Sequence, residues 1–239
     1  MTEQQQLATL GSGAMFDRIA ARYDTVNRVL SLGLDRGWRR RAVRALELGE
    51  HPRVVDIAAG TGDVAIEIAR MHPHARVVAI DPSAKMLAVA AQKLTRRALT
   101  DQIELVEGDA QALPLRNCEV DAATIAFGIR NVPDRACALR EMARVVRPGG
   151  RIAILELAEA KRGLFGRVAR FHTRYIVPRL GALLSGAREY RYLQTSVAAF
   201  PPPDEFAQLM RECGLTVIDI VGLGFGACTL YVATPAEDA

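Results

Sequence analysis

An aspartate followed by two glycines marks the first place where this sequence could do chemistry. Asp56 lies at the end of an apolar run, and Gly60 and Gly62 form a Gly-x-Gly turn before a predicted helix. Glycine permits positive φ and lets a ligand approach the backbone closely. In open parallel sheets, ligands bind in the crevice at the carboxyl ends of the strands. The pattern predicts a ligand-binding loop; the alternative is a tight strand-to-helix turn with no ligand.

The same turn also fits a dinucleotide fingerprint, because Gly60, Gly62 and Ala65 match Gly-x-Gly-x-x-Ala. Two acids argue against that alternative. Asp56 before the glycines and Asp63 at the start of the helix would repel a pyrophosphate and attract a ligand that carries an ammonium and a sulfonium. The charges therefore favour S-adenosylmethionine over a nicotinamide dinucleotide.

Two further aspartates end the next predicted strands. Asp81 lies 19 residues beyond Gly62 and is predicted to accept both ribose hydroxyls. The alternative, a helix N-cap, is weakened because Ser83 suits that role. Asp109 is predicted to reach the adenine amine; the alternative is an ordinary turn aspartate.

The elements that position these residues alternate between strand and helix. An alternation of this length predicts parallel pairing with helices on both faces of an open sheet. Predicted strands cover residues 53–57, 76–81, 103–106, 120–127, 152–157, 215–221 and 228–233. Predicted helices cover 14–46 with a break at Gly33, 63–70, 82–94, 132–146 (closed by the turn 147–150), 162–185, 189–200 and 204–213.

The whole chain, 1–239, is predicted to be a single α/β domain with a Rossmann-like, doubly wound, mostly parallel seven-stranded sheet. Its predicted parts are an N-terminal helical cap at 14–46, a ligand-binding core at 53–158, a helical insertion at 162–200, and a closing helix and strands at 204–235. A chain of 239 residues suits one domain of this kind.

Composition narrows the class of protein. With 50% hydrophobic and 24% charged residues, the chain is not disordered. Its four cysteines form no C-x-x-C pair, which argues against a disulfide scaffold and a structural zinc site, and we predict no metal. A net charge of +4 does not by itself recruit nucleic acid. Because the sequence shows no signal peptide and no spanning helix, we expect a soluble, cytoplasmic protein.

Longer motifs resemble the class I S-adenosylmethionine-dependent methyltransferases, and within them the ubiquinone/menaquinone biosynthesis C-methyltransferases of the UbiE/MenG type. The matching segments run from the N-terminal helix to the insertion. They are Tyr23-Asp24-Thr25-Val26-Asn27, Asp56-Ile57-Ala58-Ala59-Gly60-Thr61-Gly62-Asp63, Phe127-Gly128-Ile129-Arg130-Asn131-Val132, Arg144-Val145-Val146-Arg147-Pro148-Gly149-Gly150, Glu156, Pro178-Arg179-Leu180-Gly181 and Tyr190-Arg191-Tyr192-Leu193. The chain departs from the family at Asp35, Ala59 and Ala126, and most strongly in its C-terminal tail.

The resemblance implies C-methylation of a polyprenylated quinol, with S-adenosylmethionine as methyl donor. It implies that Arg130 stabilises a phenolate or holds an activating water, that Asn131 orients a quinol oxygen, and that Tyr23 closes the pocket. The predicted donor-binding residues are Asp56, Gly60, Thr61, Gly62, Asp81, Met86, Asp109, Ala110 and Ala126. The alternatives are a methyltransferase for another small phenolic or amphipathic acceptor, a nicotinamide-dependent oxidoreductase, and a non-catalytic donor- or lipid-binding module.

A cluster of arginines follows Trp38. Its members are Arg36, Arg39, Arg40, Arg41 and Arg44, and five more lie in the insertion at Arg162, Arg167, Arg170, Arg174 and Arg179. Each stretch alone is typical of a solvated helix face. Together they would form a cationic face toward anionic lipid, and a polyprenylated substrate favours such peripheral contact at the inner face of a membrane. The sequence does not indicate whether the protein forms oligomers.

Overall fold

Seven β-strands and the helices that cover them form the frame of the protein. In the computed structural model, the residues described are 17, 20, 23–158 and 187–236. The strands are β1 (Arg53–Ile57), β2 (Arg76–Asp81), β3 (Ile103–Glu107), β4 (Val120–Ala126), β5 (Val146–Leu157), β6 (Leu215–Leu223) and β7 (Cys228–Pro235). The helices in the described ranges are α1 (Tyr23–Leu30), α2 (Asp35–Ala45), α3 (Asp63–Met71), α4 (Ala84–Arg97), α5 (Arg135–Val145), α6 (Ala187–Ala198) and α7 (Pro203–Glu212).

The strands join in one sheet with the order β3-β2-β1-β4-β5-β7-β6. The first five are parallel, while β7 runs antiparallel to both β5 and β6. The chain order reverses between β1 and β4, which is where ligands bind in doubly wound sheets. The predicted mostly parallel seven-stranded sheet is confirmed.

Both faces of the sheet are buried, because neighbouring residues of a strand point to opposite sides. Val55 and Ile57 of β1 pack in a cluster with α5 and α7, whereas Val54 packs in a second cluster with α2 and α3. This explains why β1 is apolar on both faces and shows no alternation. The predicted helices on both faces are confirmed.

Two predicted boundaries are wrong near the fourth and fifth strands. The segment 147–150, predicted to close the preceding helix, belongs to β5, because an irregularity in the pairing lets Val146 pair with Val120 before the regular register begins. Gly150 has no room for a Cβ against the backbone of Asp121. The helix predicted from Val132 begins at Arg135 as α5, since Asp134 caps it by accepting a hydrogen bond from the backbone N–H of Cys137.

The predicted helical cap and insertion are described only in part. Within 23–46 the cap consists of α1 and α2, and Gly33 lies in the predicted break with φ +77°. The predicted helix 189–200 corresponds to α6, whereas the predicted helix 162–185 lies outside the described residues. Within the described ranges, every helix is too short or too polar to cross a membrane.

Candidate active site

A narrow cleft lies where the carboxyl ends of β1 and β4 meet helices α1, α2 and α3. Five of the predicted site residues line it, namely Tyr23, Asp56, Gly60, Thr61 and Ala126. The other lining residues are Arg39, Ala58, Ala59, Asp63 and Val64. The cleft therefore lies between the N-terminal helices and the glycine loop, at the edge of the sheet where doubly wound folds bind ligands.

Positive φ angles shape the floor of the cleft. Gly60 has φ +56° and Gly62 has φ +78°, a conformation that glycine adopts without strain. Ala58 and Phe127 also have positive φ, which is uncommon for residues with a side chain. A Cβ on Gly128 would overlap the side chain of Ala58. The ends of β1 and β4 are thus held close together in strained turns, a feature that clusters at functional sites.

Asp81 fastens the glycine loop to the end of β2. Its carboxylate accepts hydrogen bonds from the backbone N–H of Gly60 at 2.7 Å and of Ser83 at 2.8 Å. Burial outweighs these bonds and raises the pKa of Asp81. Ser83 caps α4 by accepting from the N–H of Met86, which confirms that Asp81 is not the cap. A carboxylate has about four lone-pair sites, so Asp81 keeps acceptor capacity for two ligand hydroxyls.

Asp56 lies under the loop and is almost completely buried. Burial raises its pKa to about 8, although a hydrogen bond from the N–H of Ala65 and the charge of Arg39 oppose the shift. Asp56 is therefore mostly a neutral carboxylic acid at pH 7. A bound cation would favour its ionised form and would lower this pKa.

Lys93 of α4 neutralises the second acid of the loop. Its ammonium contacts the carboxylates of Asp63 and Asp24, the latter at 2.8 Å, and lies 3.1 Å from the hydroxyl of Thr61. Thr61 donates a hydrogen bond to Asp24 at 2.5 Å. Burial acts against the charge of Asp63, but Lys93 outweighs it and lowers the pKa of this acid. Asp63 is thus paired and does not supply the free negative charge that the sequence argument assigned to it.

Arg130 and Glu156 form a buried ion pair beside the cleft. The guanidinium lies 2.5 Å from a carboxylate oxygen of Glu156 and donates at 2.7 Å to the carbonyl of Phe127. Burial disfavours the charge of Arg130, yet Glu156 outweighs burial and raises the pKa of the guanidinium. Nε of Arg130 has no hydrogen-bond partner in the described part of the chain. Arg130 is therefore charge-compensated, with a donor left over.

Asn131 follows in a short 3₁₀ turn and contacts the insertion. Its side-chain oxygen accepts a hydrogen bond of 2.9 Å from the hydroxyl of Tyr192, which lies on α6. Arg135 extends the same cluster by donating to the carbonyl of Arg130. The helix of the insertion is thereby fastened to the residues predicted to face the acceptor.

Several predicted residues do not line the cleft. Met86 and Ala110 are buried, and Asp109 accepts hydrogen bonds from Gln111. Gly62, Asp81, Met86, Asp109, Ala110, Arg130 and Asn131 are not among the lining residues of this cleft. Their predicted roles toward donor and acceptor stay predictions.

Four side chains at the site were not predicted as site residues. Arg39 was assigned to a solvated or lipid-facing surface, and this is wrong: it is only 8% exposed and lines the cleft. Lys93 had no signal beyond its helical spacing. Glu156 and Tyr192 lie within the motifs that carried the family resemblance, and that signal could have identified them. No group of side chains in the described ranges is arranged to hold a metal ion.

Comparison with known proteins identifies the family of this chain. The sequence pattern of the ubiE/COQ5 methyltransferase family matches residues 3–235. The chain belongs to this family. The resemblance predicted from the sequence is confirmed, and the protein is an S-adenosylmethionine-dependent methyltransferase.

Individual relatives are similar to this chain in sequence over most of their length. A ubiquinone/menaquinone biosynthesis C-methyltransferase UbiE of Syntrophotalea carbinolica is 45% identical over 217 residues, 91% of each chain. A demethylmenaquinone methyltransferase of Deinococcus radiodurans is 48% identical over 220 residues, 91% of this chain and 90% of that one.

Solved structures are similar in fold. A putative S-adenosylmethionine-dependent methyltransferase of Methanococcus maripaludis matches with a TM-score of 0.69 at 18% identity, over 92% of this chain and 94% of that one. At this identity the likeness concerns the fold alone.

Proposed function

We propose that this member of the ubiE/COQ5 methyltransferase family transfers a methyl group from S-adenosylmethionine to a ring carbon of a polyprenyl quinol in respiratory quinone biosynthesis. One observation carries the proposal: a cleft with buried acids at the strand ends lies in a chain 45–48% identical to relatives named for this chemistry. Those relatives include both a ubiquinone/menaquinone enzyme and a demethylmenaquinone enzyme, so the acceptor is a benzoquinol or a naphthoquinol.

The residues of the cleft suit the donor. When bound, S-adenosylmethionine supplies an electrophilic methyl group on a sulfonium. Asp56 would ionise against the methionyl ammonium. Asp81 does not line the cleft but contacts the glycine loop at Gly60, and it would hold the ribose hydroxyls with its remaining lone pairs. Gly60 would let the ligand approach the backbone, because its φ of +56° already matches the turn and a Cβ there would point at the ring of Tyr23, 4.0 Å away.

The acceptor side is built from Arg130, Asn131 and Tyr23. Methylation of a quinol ring carbon needs an electron-rich ring, so a phenolic proton must leave as the methyl arrives. Because Glu156 compensates Arg130, we infer that Arg130 acts through its hydrogen-bond donors, which would hold a water or a phenolate oxygen. Asn131 would orient the second quinol oxygen, and Tyr23 would close the pocket above the glycine loop.

Binding of S-adenosylhomocysteine tests the donor site by calorimetry. We expect micromolar-range binding by the unchanged protein and a loss of about 100-fold or more in Asp81→Ala, since two charged hydrogen bonds disappear. Asp101→Ala, which changes an exposed aspartate in the turn before β3, is the control and should bind normally. Equal affinity of Asp81→Ala and the unchanged protein would contradict the donor assignment.

The acceptor is tested in cells that lack the protein. Mass spectrometry of their quinones should show an accumulated precursor that lacks one ring methyl group, and re-expression of the protein should remove it. A normal quinone profile would favour the alternative, another small phenolic or amphipathic acceptor, which incubation with labelled donor and a metabolite extract would then identify.

We also propose peripheral contact with an anionic membrane, from which a polyprenyl tail must be taken. The turn between α1 and α2 exposes Leu32 (70%) and Leu34 (49%), and Leu32 has positive φ. Arg36, Arg41 and Arg44 on the adjoining helix are exposed. Apolar side chains beside cationic ones are the features that favour binding to anionic lipid surfaces.

Sedimentation with lipid vesicles tests this contact. The protein should bind vesicles that contain phosphatidylglycerol, and Leu32→Ser with Leu34→Ser should weaken binding several-fold. Ile218→Ser is a matched control, because Ile218 is 47% exposed on β6. Equal binding of the double variant and the control would overturn the assignment of this turn.

A further inference from the structure

We propose that Arg39 binds the α-carboxylate of the methyl donor, which makes it a donor-binding residue and not part of a surface face. The inference rests on the proposed function, because it assigns one more residue to the same donor. Arg39 lies on α2, is buried, and lines the cleft together with Asp56 and Asp63. It is the only arginine or lysine among the residues described as lining that cleft.

The donor itself requires such a residue. Its methionyl end is a zwitterion, with an ammonium that favours the ionised form of Asp56 and a carboxylate that this ionised Asp56 would repel, whereas Asp63 is already paired with Lys93. A cation that faces the carboxylate would offset this repulsion, so that the acid that favours one end of the ligand does not disfavour the other. Lys93 is not available, since its ammonium contacts both Asp24 and Asp63 and it does not line the cleft.

The surroundings of Arg39 hold its guanidinium in one orientation. Nη1 pairs with the carboxylate of Asp35, one helical turn earlier, and Asp35 in turn accepts a hydrogen bond of 2.8 Å from Ser31. The guanidinium lies over the ring of Phe127, 5.3 Å from its centroid, and this ring packs against Trp38. Stacking of this kind suits arginine and leaves the edge of the guanidinium free to donate.

The ion pair with Asp35 leaves some hydrogen-bond donors of Arg39 unused. A guanidinium carries five N–H donors in a planar fork that matches a carboxylate. The bond to Asp35 uses Nη1, which leaves donors on Nη2 and Nε. Because Phe127 follows β4 directly, the same ring that orients Arg39 also belongs to the strand end that carries Ala126 of the cleft.

A pair of ligands that differ only in the carboxylate tests the assignment. Calorimetry would measure binding of S-adenosylmethionine and of decarboxylated S-adenosylmethionine by the full chain. Arg39→Met should weaken binding of S-adenosylmethionine by about 10- to 100-fold, as expected for a lost charged hydrogen bond, and should change binding of the decarboxylated form by less than about 2-fold. Arg40→Met is the control, because Arg40 is exposed and pairs with Glu67.

A second variant removes any effect of an uncompensated Asp35. Asp35→Asn with Arg39→Gln deletes both charges, so no lone carboxylate stays buried, and it should show the same selective loss. Asp35→Asn alone should retain binding of S-adenosylmethionine. Equal loss for both ligands, or no loss for either, would overturn the role of Arg39. Failure of the unchanged protein to bind S-adenosylmethionine would instead overturn the proposed function on which this role depends.

Discussion

The ion pair of Arg130 with Glu156 limits what this arginine can do at the residue scale. Both side chains are buried, at 8% and 0% exposure. The carboxylate of Glu156 pairs with the guanidinium of Arg130. It also accepts a hydrogen bond of 3.1 Å from the backbone N–H of Arg130. Transfer of these charges from water is costly, and the pair is tolerable because each charge compensates the other. Arg130 therefore also holds the end of β4, where it donates to the carbonyl of Phe127.

Removal of one partner should show that the stability of the protein depends on this charge compensation. Arg130→Ala leaves the carboxylate of Glu156 buried and unpaired, which typically costs about 3–5 kcal/mol of stability. Urea denaturation would measure the loss. Arg130→Met combined with Glu156→Gln removes both charges and should recover most of the stability. If the single and double variants were equally unstable, the charge compensation would not be the cause.

The hydroxyl of Tyr192 fixes the amide of Asn131, because the side-chain oxygen of Asn131 accepts a hydrogen bond from it. Tyr192→Phe should therefore leave binding of S-adenosylhomocysteine unchanged and lower kcat with the quinol by about 10-fold, an effect comparable to one lost positioning hydrogen bond. Steady-state kinetics and calorimetry would separate the two effects.

Its control lies on the same helix, where Thr195→Val removes another hydroxyl from an exposed position. An unchanged kcat in Tyr192→Phe would show that Asn131 does not need this contact.

At the scale of elements, a lysine on α4 holds the N-terminal cap on the glycine loop. Lys93 bridges Asp24 of α1 and Asp63 of α3, and Thr61 bonds to Asp24 as well. A second contact lies nearby, where Ser83 donates to Asp17 at 2.6 Å. These contacts hold the ring of Tyr23 beside Gly60. The cap is thus joined to the core through polar groups at the glycine loop, in addition to its apolar packing.

Lys93→Met should release α1 from the loop, because Asp24 and Asp63 would then repel each other. Hydrogen exchange of the amides in α1 should accelerate by about 10-fold or more, while exchange in β1 and β4 should not change. Lys85→Met is the matched control, an exposed lysine on the same helix. Identical exchange in the two variants would show that the ion pair does not hold α1.

The sequence predicted most elements for a plain physical reason. Strands such as β1 and β2 are mainly apolar runs with a proline beside one end, Pro52 before β1 and Pro82 after β2, so their limits are largely local. The start of β5 could not be predicted, because the pairing of Val146 with Val120 depends on an irregularity between two distant strands. Arg39 could have been distinguished from its neighbours, because it shares the buried helix face of Trp38 and Val43, whereas Arg36, Arg40, Arg41 and Arg44 lie on the exposed face. Its contact with Phe127, however, depends on how α2 packs on the end of β4 and is not a local property of the sequence.

At the scale of the whole molecule, the buried acids couple stability to pH. Asp56 has an ordinary pKa of 3.8 and a folded pKa of about 8, and the pKa of Asp81 is also raised. Between these values the folded protein keeps a proton that the unfolded chain has lost. Stability is then highest on the acid side and falls as pH rises, by at most about 1.4 kcal/mol per unit for one such group. Asp63 and Glu141 have lowered pKa values and act in the opposite direction at lower pH.

The donor-free protein should therefore lose about 2–3 kcal/mol of stability between pH 5.5 and 7.5, measured by urea denaturation. Asp56→Asn should flatten this dependence, because the amide has no proton to lose, whereas Asp101→Asn should leave it unchanged. A saturating donor analogue should reduce the slope as well, since its ammonium favours the ionised form of Asp56 and lowers the folded pKa. A slope that is the same in Asp56→Asn and in the unchanged protein would show that the proton is held elsewhere, and the argument for an ammonium at Asp56 would lose its physical support.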